Sequence, residues 1–238
     1  MERKSIKVSK LKKEKYIFAK KALLILIGCF LYMNINFSVY AEASGSCGSD
    51  LKWELSGETL TISGSGNMAN FLDEELAPWH DSAENIRTVS LPSGLTSIGD
   101  LAFYGCTNLT SVQIPDSVVS IGEYAFAECT ELTQVNLGAG VQEIKSGAFY
   151  QCKSLSAISL SDSLTNIGSK AFYRCNGLSS VTIPSTVINM GSEVFAYCEE
   201  LIRAVVNASI KKLPDWTFYG CSSLTDVSLA SSITNVGD

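Results

Sequence analysis

From residue 86 to the last residue the apolar positions recur every 23 residues. Phe103, Phe126, Phe149, Phe172, Phe195 and Phe218 hold that interval, and Cys106, Cys129, Cys152, Cys175, Cys198 and Cys221 hold it three positions later. Leu109, Leu132, Leu155, Leu178, Leu201 and Leu224 follow each cysteine by three. A period kept over so many copies predicts one structural unit per 23 residues. No such unit buries its apolar side alone, so the units must stack and each side-chain type must form a column.

Within a unit, Leu109, Val112 and Ile114 alternate with Thr110, Ser111 and Gln113 as an inward and an outward set, which predicts a short strand. Pro115, or Pro184 in a later unit, ends it, because proline cannot donate to a ladder. Val118 and Ile121 mark a second extended piece, and Gly122 turns the chain. Residues 123–129 then fit one or two helical turns, with Ala125, Phe126 and Cys129 on the inner face. The expected fold is a solenoid, mainly β with short helical turns, whose parallel β-sheet is made of stacked 23-residue coils.

Residues 42–85 fall outside the period. Leu51-Lys52-Trp53-Glu54-Leu55 and Thr59-Leu60-Thr61-Ile62-Ser63 alternate around Ser56-Gly57-Glu58, the pattern of a β-hairpin. With Trp53, Phe71 and Trp79 it is the expected cap of the first coil, and Gly64-Ser65-Gly66 reads as a turn, since no phosphate-loop lysine follows in register. The acidic Asp73-Glu74-Glu75 lacks the alternating carboxylates of a calcium loop and reads as a solvated turn. The domains are therefore 1–41 as a signal peptide, 42–85 as the cap and 86–238 as repeats, the last incomplete.

The signal-peptide expectation comes from charge and hydropathy together. Residues 1–41 carry nine of the chain's 18 bases and two of its 24 acids. The rest is left with nine bases and 22 acids, a balance of −13 that repels phosphate backbones and excludes nucleic acid as a partner. After Lys20-Lys21 an apolar run over residues 22–33 fits a secretory core and is short for a permanent span, with cleavage expected after Ala41 or, second, Ala43. An uncleaved anchor and a lipoprotein cut at Leu26-Ile27-Gly28-Cys29 are the alternatives; all three place the body outside the cytoplasm, secreted or at the cell surface.

Candidate chemistry is thin. Stacked coils set a cysteine column about 4.8 Å apart with parallel vectors, whereas a disulfide needs Cβ atoms at about 3.5–4.5 Å. The six periodic cysteines therefore read as buried small apolar residues, and Cys47 stands outside their pattern. No Cys-x-x-Cys occurs and His80 is the single histidine, so no metal, cofactor or catalytic residue is expected. Glu123, Glu128 and Glu143 fall on solvent-facing positions and do not converge, and the chain reads as a non-enzyme.

The motif Leu-x-x-Val-x-Ile-Pro-x-Ser-Val-x-x-Ile-Gly-x-x-Ala-Phe-x-x-Cys over residues 109–129, echoed over 178–198, resembles the BspA-type, or Treponema pallidum-type, leucine-rich repeat. Cys47-Gly48, Leu51, Trp53, the run Leu60-Thr61-Ile62-Ser63-Gly64, Gly66, Met68 and Pro78-Trp79 are similar to the module that often precedes such repeats in secreted proteins of anaerobic bacteria. The resemblance implies a parallel-sheet solenoid on a bacterial surface or in the medium that binds host or neighbouring-cell proteins, such as a matrix protein, and implies no catalytic residue. Two further functions remain open: a glycan-binding surface protein and a structural spacer.

The outward strand positions are mostly small and uncharged, but one coil presents Ile202, Arg203 and Val205, with Asp226 one coil on as a partner for the arginine. This is the candidate protein contact, on a face expected to be concave. On the opposite side Tyr150, Tyr173, Tyr197 and Trp216 are the candidate glycan contacts, expected over the short helices. The repeat pattern stops in mid-unit at Asp238, from which end-to-end self-association through an uncapped coil is expected.

Overall fold

The computed structural model describes residues 43–72 and 75–238. The expected signal peptide and the first two acids of Asp73-Glu74-Glu75 lie outside the described residues. The chain opens with an antiparallel β-sheet of β1 (Ala43–Ser46), β2 (Leu51–Ser56) and β3 (Thr59–Asn67). In β2 the alternation is realised, with Leu51, Trp53 and Leu55 buried and Lys52, Glu54 and Ser56 exposed. Gly57, at φ 58°, supplies the left-handed residue of the two-residue connection to β3.

β3 seeds the whole solenoid. Its first half pairs in parallel with β4 (Thr88–Ser90) and its second half with β5 (Gly94–Ile98), so one strand starts two sheets. The expected turn at Gly64-Ser65-Gly66 is instead a bend inside β3. Gly64 and Gly66 sit at φ 101° and 96°, and the Asp50 carbonyl lies where a Cβ on Gly64 would point.

Both sheets then advance one strand per coil. The first continues through Ser111–Gln113, Gln134–Asn136 and Ala157–Ile158, in parallel register with Val112 opposite Val135. There its ladder is interrupted, and Ser180–Ile183, Arg203–Val206 and Asp226–Leu229 form a separate three-stranded sheet. The second sheet runs through Ser120–Ile121, Glu143–Ile144, Asn166–Ile167 and Asn189–Met190, and Lys212–Leu213 pairs with Asn235–Val236 beyond it.

The third side of each coil departs from expectation. Residues 123–129 are a run of turns, and the single described helix is a short 3-10 turn at His80–Asn85. The reason is that two positions per coil, four residues apart, take the left-handed conformation. Leu101, Tyr124, Gly147, Lys170, Glu193 and Trp216 form one such column, and Gly105, Glu128, Gln151, Arg174, Tyr197 and Gly220 the other, all with φ between 50° and 73°. Each non-glycine residue there costs about 1–2 kcal/mol. What it permits is alternation of the peptide groups. Ala125, Ala127 and Cys129 donate locally to the carbonyls of Gly122, Tyr124 and Phe126, while Tyr124, Phe126 and Glu128 donate to Ser146, Ala148 and Tyr150 of the following coil. Both sets of main-chain groups are thereby satisfied without a helix.

Under this turn ladder runs the core. Trp79 stacks on Phe103 at 5.9 Å between ring centroids, and Phe103, Phe126, Phe149, Phe172, Phe195 and Phe218 continue at 5.0–5.8 Å. Trp79 also meets Trp53 and Phe71 edge-on, and its indole N–H donates to the Ala102 carbonyl at 2.8 Å, which joins the cap to the first coil. Full burial of each phenylalanine contributes about 1.5–3 kcal/mol. The described cysteines are free thiols, as the spacing predicts, and five of them also act as donors. Each Sγ from Cys129 to Cys221 lies 3.1–3.3 Å from the carbonyl of the phenylalanine 26 residues earlier, so every thiol ties its coil to the one before.

Candidate functional site

The strand face carries the candidate protein contact. The outward position that holds Thr110, Thr133, Ser156 and Ser179 in four successive coils holds Ile202 in the next, and Ile202 is 53% exposed. Arg203 sits opposite Asp226 in the parallel register, and its Nε lies 3.2 Å from Asp226 Oδ2. Both side chains are more than half exposed, so the pair contributes at most about 1 kcal/mol and is easily exchanged for another partner. Val205, two residues along the same strand, is half-buried. Ile202, Arg203, Val205 and Asp226 are thus brought together on one surface, by strand alternation and the 23-residue register.

The turn side carries the candidate glycan residues. Tyr150 and Tyr173 stack at 5.0 Å and 4° between planes, Tyr173 meets Tyr197 at 5.4 Å, and Tyr124 and Tyr219 extend the row at either end. The Arg174 guanidinium lies between the rings of Tyr173 and Tyr197, 5.6 and 5.3 Å from their centroids. These rings lean on one another over the turn ladder, where helices were expected to carry them. Tyr150 and Tyr173 therefore use facing surfaces on each other, and a sugar stacks on a ring face. Trp216, half exposed, stands in the column of Tyr124 and Lys170.

A hollow on the strand face was missed in the sequence. It lies about the coil Ser156-Ala157-Ile158-Ser159-Leu160-Ser161-Asp162-Ser163, where two cavities of about 740 and 490 Å³ share Ala157, Ser159, Leu160 and Asp162. Ile158 and Leu160 are each 9% exposed, against 2% and 0% for Val112 and Ile114 at the same positions. The available signal was size: every outward residue in that coil is small.

The fully buried cysteines are chemically quiet, while the half-buried Cys221 has its pKa lowered by its hydrogen bond with Cys198. Burial pushes the Cys106 thiol up to about 12 and Cys47 up to about 11, and it pushes Cys129 and Cys152 well above the ordinary value, with neighbouring thiols adding to the effect. Among the described residues, no group of three or more His, Cys, Asp and Glu side chains is placed to hold a metal ion. No helix among them is long and apolar enough to cross a membrane.

The coil geometry and the columns of Phe and Cys agree with a known repeat. The sequence profile described as BspA type leucine rich repeat region matches in six copies, over residues 80–202 and 142–238. This chain belongs to the BspA-type leucine-rich repeat family. The crystal structure of a T. pallidum leucine-rich repeat protein is similar to this BspA-type chain with a TM-score of 0.62 and 30% identity, over 81% of this chain and 86% of that one. A leucine-rich repeat protein from Bacteroides ovatus is similar with a TM-score of 0.58 and 25% identity, over 80% of this chain and 55% of that one. No curated protein matches the chain in sequence. The BspA-type family makes a protein-interaction module the general reading.

Proposed function

We propose that this protein is an extracellular binding module that adheres to proteins of a host or a neighbouring cell, and that it binds without catalysing. One observation carries the reading: Ile202, Arg203 and Val205 interrupt an otherwise small, hydroxyl-rich strand face with an aliphatic and cationic patch. Exposed aliphatics beside an arginine have the composition of a contact centre. The acidic balance of residues 42–238 and the basic, apolar residues 1–41 support an exported body. The lone histidine supports binding over catalysis, since the His80 ring stacks on Tyr104 at 6.2 Å.

The test is capture of extracellular-matrix proteins on the immobilised chain, run beside a glycan array. Ile202→Glu and Arg203→Glu are expected to abolish protein capture while lowering the unfolding free energy by no more than about 1–2 kcal/mol, the larger cost falling on Arg203→Glu, which sets a second carboxylate opposite Asp226. Capture that survives both substitutions overturns the assignment. The glycan reading rests on the exposed Trp216 indole, and array signal that disappears in Trp216→Ala would establish it instead.

A further inference from the structure

The interruption of the first sheet coincides with its hollows. Ala157–Ile158 pairs back onto Gln134–Asn136, and Ser180–Ile183 pairs forward onto Arg203–Val206. The opening between them is bounded. The Ser179 N–H still reaches the Ser156 carbonyl at 3.5 Å on one side, and the Ile188 N–H bonds the Thr165 carbonyl at 3.0 Å on the other. Between those points the two rims do not pair as a ladder, and the side chains of Ile158 and Leu160, each 9% exposed, form the floor of the hollow.

We propose that this opening is a slot for a basic, extended segment of a partner protein, an inference that rests on the strand face being the binding face. Charge decides the occupant. The lining of the two cavities includes the carboxylates of Asp116 and Asp162 and no lysine, arginine or histidine. Two further hollows do hold cations: one sets Lys145 beside Glu123 and Glu143, the other Lys52 beside Glu54. Asp116 is held in place, because its Oδ1 accepts the Ala139 N–H at 2.8 Å. A lysine side chain matches this arrangement in two parts. Its methylene stem lies along Leu137 and Leu160, and its ammonium reaches the carboxylates at the rim. The extended main chain lies over the hollows on the outer side of the strands, because the rims are still joined by the Ser179–Ser156 bond and do not part far enough to admit a further strand. The segment then continues towards Ile202 and Val205, two coils on from Ala157, which gives the partner a basic residue followed by an aliphatic one.

The experiment measures fluorescence anisotropy of labelled octalysine, octaglutamate and a glycine-serine octapeptide with the full chain, at low and at physiological salt. Octalysine alone is expected to bind, with an affinity that falls as salt rises. Asp162→Asn is expected to weaken it about fivefold or more, and Ala157→Trp, which fills the opening from an exposed position, to abolish it. Ser159→Lys tests the same slot without bulk, and circular dichroism confirms that each variant folds. Glu200→Gln, an equal change of charge on an exposed residue, is expected to leave binding within about twofold. Equal weakening by Glu200→Gln and Asp162→Asn would show general attraction to an acidic protein and overturn the slot, as would full binding in both Ala157→Trp and Ser159→Lys. If Ile202→Glu removes matrix-protein capture while the three slot variants retain it, the slot fails and the binding function stands.

Discussion

On the turn side of each coil the Phe and Cys positions hold one residue type throughout, while on the strand side of the same coils the outward positions run from serine to arginine. The turn side is also continuous, with its phenylalanine stack unbroken from Trp79 to Phe218, whereas the first sheet is interrupted beside Ala157–Ile158. The difference assigns tasks. Stability is concentrated where every side chain is boxed in by two neighbouring coils, and the strand face is left free to differ from coil to coil, as a recognition surface requires.

Raising the pH should separate the two sides most. The Cys106 thiol has its pKa raised from 9.0 to about 12 by burial, so its contribution is fully present below pH 9 and is lost as the pH climbs through about 12. Cys129, Cys152 and Cys175 are shifted in the same direction by the same burial. Cooperative alkaline unfolding above pH 9, followed by circular dichroism, is the expected result. Replacing Cys129 and Cys152 with alanine should lessen its steepness, and an unchanged profile would detach the thiols from stability.

Next in size is Phe149→Ala, which removes a fully buried ring from the stack and should cost about 3–5 kcal/mol in urea unfolding. Thr133→Val on the strand face loses only the hydroxyl bond to the Thr110 carbonyl, 3.0 Å away, and should cost less than about 1 kcal/mol. Equal costs would erase the distinction between the sides. A substitution within the turn side sharpens it. Gly147 is left-handed at φ 62° and the Tyr124 ring lies where its Cβ would be, so Gly147→Ala should cost about 1–2 kcal/mol. About half of that should return in a Tyr124→Ala background, as read by a double-mutant cycle.

Particular residues show what was legible beforehand. The columns of Phe, Cys and Leu announce themselves because stacking makes one spatial column of one sequence interval, and the cap hairpin follows from period two in Leu51, Trp53 and Leu55. The turn ladder was hidden. Its left-handed positions hold Tyr124, Glu128, Lys170 and Arg174, which carry none of the glycine signal that such a backbone usually shows, so residues 123–129 looked helical. Two of the three glycines that occur there have local partners: Gly147 lies under Tyr124, and Gly220 leaves only 2.7 Å between an added Cβ and the Tyr197 ring, while Gly105 faces open space. The thiol bonds were hidden too, because an acceptor 26 residues away belongs to the stacked coils and not to any local pattern. The pairing of Arg203 with Asp226 was legible, being one period apart. The opening beside Ala157 left only a faint trace, the small size of the outward residues, since Ile158 and Leu160 keep the inward pattern of every other coil.

The cross-coil bonds of the turn ladder all run one way, with the N–H groups of residues 124, 126 and 128 aimed at the following coil and the same arrangement repeated from residue 101 to residue 216. Each peptide group carries a dipole of about 3.5 D, and dipoles so aligned add head to tail. This flank is therefore polarised along the stacking axis, as a helix is along its own, although it contains no helix. Its potential is positive in the direction of later coils and negative in the direction of the cap.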